Sequence, residues 1–205
     1  MSKTSAIENL RTIKQSLHAM MNGVASRSMR EKGLIYRINY GVELPRLQAF
    51  ATTFTPDAGL AGLLWKEDIR ECRLLAPMLM PEEAFAEDLA EEWVLQLRFP
   101  EEADVLVFYL LRRMNYASNV AFRWLAAEED LLRYTALQIL TRLLTEGFTL
   151  TTRDAHEFLD QARAQIQEGP LFLRHAACRA VERFADQGLP QERMAASILQ
   201  MCEEQ

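Results

Sequence analysis

Two stretches of this chain, 41 residues apart, carry the same helical pattern. They read LLRYTALQILTRL over 131–143 and FLRHAACRAVERF over 172–184. Each begins with an apolar residue followed by arginine, so that Arg133 aligns with Arg174, and a weaker copy of this start occurs at Ile69. A helical period near 40 residues is typical of repeat arrays, in which stacked helix pairs bury apolar faces that no single pair buries alone.

Proline and glycine divide the rest of the chain into segments whose apolar residues recur at three- and four-residue spacing. The pattern predicts an all-α fold, a HEAT-like or armadillo-type α-solenoid of about twelve helices in antiparallel pairs. The predicted helices cover approximately residues 5–21, 26–38, 45–54, 60–65, 66–79, 82–97, 101–114, 117–126, 128–144, 153–167, 171–185 and 190–203.

One apolar run leaves two interpretations open. The segment VLVFYLL, residues 105–111, is apolar on every face and does not alternate. It follows Pro100, Glu101 and Glu102, which suit the first turn of a helix. We predict a buried helix, and a buried parallel strand is the alternative.

The composition indicates one continuous body rather than several domains. The eight glycines and seven prolines are few and form no flexible linker, so we predict a single domain over residues 1–205. No apolar run reaches the length needed to cross a bilayer, and the N-terminus lacks the apolar core of a signal peptide. We therefore expect no membrane partner.

The cysteines and histidines predict neither disulfides nor a metal site. The three cysteines, Cys72, Cys178 and Cys202, are odd in number and lack CxxC spacing, which favours reduced thiols in a cytoplasmic protein. The three histidines lie far apart in sequence, so we expect no zinc site and no other cofactor.

The charge balance limits the possible partners. A formal charge of −6 and a pI near 5.2 weigh against general nucleic-acid binding, which depends on clustered lysine and arginine. A basic stripe can nevertheless coexist with an acidic outer face.

Two segments resemble a known family. YGVELPRLQAF, residues 40–50, is similar to a turn and helix of the DNA alkylation repair family, and LLWKEDIRECRLLA, residues 63–76, to one of its helix pairs. These proteins are AlkD-like HEAT-repeat alkylpurine DNA glycosylases. The resemblance covers roughly residues 26–185 and implies a DNA-interacting protein.

The resemblance also implies site residues, position by position. Asp104 falls on the family's catalytic aspartate and Arg133 on its phosphate-gripping arginine. Pro100 and Arg179 stand where the family has two aromatic walls for the base. A carboxylate stabilises the sugar cation formed during base excision, whereas an arginine in the wall repels a cationic base. The expected glycosylase activity is therefore weak, altered or lost, and whether the chain is an enzyme is left open.

Structural explanations compete with these roles. A carboxylate such as Asp104 near a helix start is favoured by the helix dipole, and Arg133 and Arg174 occupy a repeat position where solvated or ion-paired arginines are common. Arginine is frequent in the C-terminal half, where the second helices of the pairs would line a groove for double-stranded DNA. The candidate phosphate-binding residues are Arg112, Arg113, Arg133, Arg174 and Arg179. The alternative function is a non-catalytic scaffold that binds a protein or peptide in the same groove.

Overall fold

The computed structural model describes residues 3–203, and this range contains twelve α-helices and no β-strand. About 74% of the chain is helical, which confirms the predicted all-α class. The helices are α1 Lys3–Ala19, α2 Gly23–Glu31, α3 Leu44–Ala51, α4 Ala58–Lys66, α5 Arg70–Leu79, α6 Glu87–Leu95, α7 Pro100–Tyr109, α8 Ala117–Leu125, α9 Asp130–Thr145, α10 Thr152–Glu168, α11 Leu171–Ala185 and α12 Leu189–Glu203.

The chain separates into two compact units, unit 1 (Met1–Ala90) and unit 2 (Glu91–Gln205). The single domain predicted over residues 1–205 stays a prediction. Its test is denaturant unfolding followed by two probes, which is expected to give one cooperative transition.

Two predicted helices end at least five residues earlier than their apolar periodicity indicates. The helix predicted over 26–38 stops at Glu31, because Gly33 adopts a φ of +92° that turns the chain away. The helix predicted to reach residue 114 stops at Tyr109, and a turn of 3₁₀ helix follows over Leu111–Arg113. The apolar run 105–109 is helical and its Val105, Leu106 and Val107 are buried, so the helix interpretation is confirmed over the strand. The predicted burial is incomplete, because Phe108 is 37% exposed.

A buried carboxylate organises unit 1. Glu71, at the start of α5, is fully buried and accepts hydrogen bonds from the backbone N–H groups of Tyr40 (3.1 Å) and Val42 (3.2 Å). Arg70 donates to the carbonyl of Val42 at 3.1 Å and to Glu71 at 3.3 Å. The loop before α3 therefore obtains its hydrogen bonds from α5, which removes the cost of burying unpaired backbone groups.

Gly41 lies at the centre of the same loop and needs to be glycine. Its φ is +72°, and a Cβ atom there would lie 2.3 Å from the carbonyl oxygen of Asn22 and 2.6 Å from the backbone nitrogen of Ser26. No side chain fits at such distances, so the α2 N-terminus and the loop before α3 pack backbone to backbone.

Unit 2 is built around α9. This helix packs against α7, α8 and α11, and α11 in turn packs against α10 and α12. Ala136 on α9 and Ala177 and Ala180 on α11 are fully buried. Their small side chains permit close helix approach. The two aligned 13-residue stretches are thus the neighbouring helices α9 and α11, as the repeat predicts.

The cysteine prediction is wrong for two of the three residues. Cys178 on α11 and Cys202 on α12 form a disulfide with a Cα–Cα distance of 5.7 Å. The packing of α11 against α12 brings together two cysteines that are 24 residues apart in sequence. The absence of a CxxC motif carries no information on such a distant pair. Cys72 is free and buried, and burial raises its pKa to about 12, so this thiol is expected to be unreactive.

Candidate nucleic-acid interface

Asp104 lies in the second turn of α7 and is tied to the neighbouring helix α9. The hydroxyl of Tyr134 donates a hydrogen bond of 2.9 Å to its Oδ1. The residue is exposed overall, but its carboxyl group lies among enough protein atoms that lost hydration is the largest influence on its pKa, which is raised. The hydrogen bond from Tyr134 and the charges of Arg179 and Arg142 act in the opposite direction, and desolvation prevails.

Tyr134 is held as a neutral donor. It is 93% buried, and burial, followed by the charge of Asp104, raises the pKa of its hydroxyl far above the ordinary value. A hydrogen bond with the side chain of Gln138 acts on it as well, and the ring of Phe172 lies 5.5 Å away, centroid to centroid. Helices α9 and α11 therefore fix the group that orients Asp104.

Two guanidinium groups surround this carboxylate. Arg142 projects from α9 and Arg179 from α11, both exposed, and both lie close enough to lower the pKa of Asp104. Neither guanidinium group forms an ion pair with an acidic residue between 3 and 203. Glu101 also acts on Asp104 and raises its pKa, so the two guanidinium groups offset two carboxylates. Because both guanidinium groups are exposed, they can bind an external anion.

An aromatic residue extends the site along α7. Phe108 lies one turn after Asp104 and is 37% exposed. The guanidinium carbons of Arg112 and Arg142 lie 4.8 and 5.2 Å from its ring centroid, within cation–π range. Asp104, Phe108, Tyr134, Arg142 and Arg179 together are called the Asp104 surface below.

The predicted phosphate-binding arginines do not all reach this surface. Arg179 belongs to it, and Arg112 reaches its edge, where it forms an ion pair with Glu146. Arg113 is exposed in the 3₁₀ turn after α7, and Arg174 donates to the carbonyl of Gly169 at 2.7 Å.

Arg133, the residue assigned by resemblance, lies in a different place. It forms an ion pair with Asp130 and lines a polar crevice of about 540 Å³ between the α8–α9 turn and the end of α10. Its Nε is buried and has no acceptor among the described residues. Asp104 is thus accompanied by Arg142, two turns further along α9, rather than by Arg133.

Sequence reasoning missed Tyr134 and did not single out Arg142 from the other arginines. A usable signal exists: Tyr134, Gln138 and Arg142 recur at four-residue spacing on α9, which places them on one face of the helix. The assignment of the two aromatic-wall positions to Pro100 and Arg179 stays a prediction from the resemblance. Pro100 is the first residue of α7, and Arg179 is exposed on α11.

Within 3–203, no helix combines the length and apolar character needed to cross a membrane. The same range holds no group of three or more His, Cys, Asp and Glu residues placed to bind a metal ion.

Comparison with known proteins identifies a solved structure of similar fold and a protein family. A solved structure described as "a new family of proteins related to the HEAT-like repeat DNA glycosylases with affinity for branched DNA structures" superposes with a TM-score of 0.82 and 18% identity, covering 94% of this chain and 83% of that one. This likeness establishes a HEAT-like repeat fold. No curated protein matches the chain. The family described as "DNA alkylation repair enzyme" matches residues 13–197, nearly the whole sequence. The chain therefore belongs to the DNA alkylation repair enzyme family.

Proposed function

We propose that this protein binds double-stranded DNA through the Asp104 surface, and that its glycosylase activity is weak, altered or lost. The observation that carries the proposal is the placement of Arg142 and Arg179, from two different helices, around Asp104. Two guanidinium groups without ion pairs to residues 3–203 provide charge for phosphate oxygens, which arginine binds in a bidentate manner.

The family and its relatives support a nucleic-acid ligand. Members of the DNA alkylation repair family act on DNA, and the solved relative is described as having affinity for branched DNA. Neither fact fixes the form of DNA that this chain prefers. Duplex and branched DNA are therefore compared in the experiment below.

The chemistry of the surface supports weak or altered excision. A carboxylate stabilises an oxocarbenium-like sugar only while it is ionised. Desolvation raises the pKa of Asp104, which reduces the preference for the ionised form. Arg179 then disfavours an alkylated purine that carries positive charge, because like charges repel in a partly desolvated site. A neutral base or a phosphate is better accommodated.

The scaffold alternative has one observation in its favour. Unit 2, which carries the Asp104 surface, holds 12 basic and 18 acidic residues, whereas unit 1 holds 11 of each. All of the net negative charge therefore lies in the unit that is proposed to bind DNA. A cationic protein or peptide partner would be attracted to such a unit.

A cytoplasmic location is part of the same proposal. It rests on the sequence pattern that predicted it, and the Cys178–Cys202 disulfide argues in the other direction, since disulfides are rare in reducing compartments. Cell fractionation with thiol trapping before lysis distinguishes the two.

The deciding experiment measures DNA affinity at several salt concentrations. Fluorescence anisotropy with labelled duplex and with a four-way junction is expected to give measurable affinity at low salt. Arg142→Ala and Arg179→Ala are each expected to reduce the affinity and the slope of log K against log salt by roughly one phosphate. Arg153→Ala, an exposed residue of α10, is the matched control.

Two results decide against the proposal. Absence of binding to either DNA at low salt rejects DNA as the ligand and favours the scaffold alternative. Binding with unchanged affinity and salt slope in both variants rejects the Asp104 surface as its site.

A further inference from the structure

Residues 22–40 of unit 1 concentrate positive charge. This segment comprises α2 and the stretch that returns to the loop before α3, and it contains four basic residues, Arg27, Arg30, Lys32 and Arg37, against one acidic residue, Glu31. It is far more basic than the chain as a whole, whose formal charge is −6. The segment is called the cationic segment below.

The four basic side chains of the cationic segment are all exposed, and none has an ion pair with a residue in the described range 3–203. Many arginines of unit 2 differ in this respect. Arg123, for example, pairs with Glu91 at 2.8 Å, and Arg183 pairs with Asp186 at 2.8 Å. Charge that is not neutralised within the protein is available to an external anion.

Hydrogen bonds close the cationic segment into one small element. The backbone N–H of Asn22 donates to the carbonyl of Tyr40 at 2.7 Å, so the two ends of the segment meet. The hydroxyl of Ser26 donates to the carbonyl of Asn39 at 2.8 Å, and the N–H of Leu34 donates to the carbonyl of Met29 at 3.0 Å. The four charges consequently lie on a compact surface rather than along an extended strand.

The base of this element is anchored to the core of unit 1. The loop at Tyr40–Val42 is held by buried Glu71, and the N–H of Arg70 donates to the carbonyl of Ile38 at 3.0 Å. Gly41 lets the loop touch the N-terminus of α2 directly. An anchored element presents its charges with little ordering cost on binding.

The outer face of the element has no packing partner within the described residues. Helix α2 contains no buried residue, and Val24 and Ile35 are 82% and 72% exposed. These isolated apolar side chains are too few and α2 is too short for stable membrane insertion. A nucleic-acid backbone has closely spaced phosphates and apolar sugar edges. The phosphates match the positive charge of the segment, and the sugar edges match its exposed aliphatic side chains.

We infer that the cationic segment is a second contact surface for the DNA phosphodiester backbone, carried by a different unit from the Asp104 surface. The inference rests on the proposed function, because it assumes that DNA is the ligand. It adds a contact for sequence-independent binding, in which each lysine or arginine neutralises a phosphate and releases counterions.

The test replaces three of these charges in the full-length protein. The variant Arg27→Gln/Arg30→Gln/Arg37→Gln is compared with Arg153→Gln/Arg163→Gln/Arg193→Gln, which removes the same charge from exposed positions of unit 2. Affinity for a labelled duplex and a four-way junction is measured across a salt series. The unit 1 variant is expected to lose at least tenfold in affinity at low salt and about three units of salt slope. The control is expected to change affinity about twofold.

Each other outcome has a defined meaning. If the unit 1 variant has the same DNA affinity as the control while Arg142→Ala and Arg179→Ala weaken DNA binding, the inference is rejected and the proposed function is retained. If the wild type binds no DNA at low salt, both the inference and the proposed function are rejected. If the unit 1 variant keeps DNA affinity but loses binding to vesicles of anionic phospholipid, the segment is a membrane contact and the inference is rejected. Circular dichroism of both variants confirms that the fold is intact.

Discussion

Tyr134 donates its hydroxyl hydrogen bond to Asp104 across the α7–α9 contact at 2.9 Å. The carboxylate assigned to catalysis by resemblance is therefore a restrained group, whose direction and protonation depend on a second helix. Because the tyrosine is buried and keeps its proton, it acts on Asp104 only as a donor.

Tyr134→Phe is expected to raise the pKa of Asp104 further. The hydrogen bond from Tyr134 lowers this pKa, and its removal leaves desolvation less opposed. Since the pKa of Asp104 in the folded protein is already above its unfolded value, its ionisation destabilises the fold at neutral pH. That cost begins to decline as pH falls through the folded pKa and is gone below the unfolded pKa. The measurement is a ¹³C-carboxyl NMR titration of wild type and variant.

Tyr40→Phe, in unit 1, is the control for this titration and is expected to leave the Asp104 curve unchanged. A pKa that stays constant or falls in Tyr134→Phe would show that the hydrogen bond does not act on Asp104 in solution.

Release of N3- or N7-methylpurines from methylated duplex DNA is expected to be weak or absent. Arg179 and Pro100 occupy the positions of the family's aromatic walls, so a cationic base has no stacking partner at either position. Any residual release is expected to fall about a hundredfold in Asp104→Asn, since loss of one preorganised electrostatic group costs on the order of 3 kcal/mol. The assay is base release followed by chromatography.

Robust release by the wild type would contradict the prediction of weak activity. Phe108 and Phe172 would then be the candidates for the aromatic side chains that contact the base. Release that is the same in wild type and Asp104→Asn would remove Asp104 from the chemistry.

Cys178→Ser and Cys202→Ser are each expected to lower the free energy of unfolding by about 3 kcal/mol under non-reducing conditions, because the bridge closes a loop of this length in the unfolded chain. The disulfide links α11 to α12 in addition to the short turn of main chain, residues 186–188, that joins the two helices. Chemical denaturation with and without dithiothreitol provides the measurement, and reductant is expected to affect the wild type alone. A thiol assay on denatured, unreduced protein is expected to count one thiol, Cys72; a count of three would mean that the bridge does not form.

Gly41→Ala is expected to destabilise the protein by about 3 kcal/mol, since it combines a positive φ with atoms that leave no room for a methyl group. Gly62→Ala is the matched control. Gly62 lies inside α4, where a Cβ meets nothing within 4 Å, and alanine is expected to stabilise the helix by up to about 1 kcal/mol. Urea denaturation of both variants compares them, and a loss of stability in neither would show that the loop at Gly41 is free to rearrange.

The repeat pattern was sufficient to predict the fold class, because helix periodicity is a local property. The pairing of α9 with α11 follows from the 41-residue spacing. Trp65, Trp93 and Trp124, which lie among apolar helical neighbours in the sequence, are core residues with at most 2% exposure. Periodicity reports which side of a helix is apolar, and this is what a core position requires.

The candidate site was predicted only in part, since it depends on which helices lie side by side. The resemblance assigns Asp104, Arg133 and Arg179, but an alignment carries no information on helix faces and therefore does not show that Arg142 is the α9 arginine near Asp104. The phosphate-binding role of Arg133 stays a prediction. Arg133 and Tyr134 are adjacent in sequence and project about 100° apart around α9. One faces the crevice at Asp130 and the other faces Asp104. The Cys178–Cys202 contact was missed for the same reason.

The buried Glu71 bears on how family likeness is interpreted. The two segments that carry the resemblance, residues 40–50 and 63–76, are the two sides of its hydrogen-bonded clamp. They are constrained by folding, whereas the aromatic walls of the base site are constrained by chemistry. Likeness in these two segments therefore reports the folding of unit 1. It carries no information on the chemistry at Asp104, which depends on the side chains that surround that residue in unit 2.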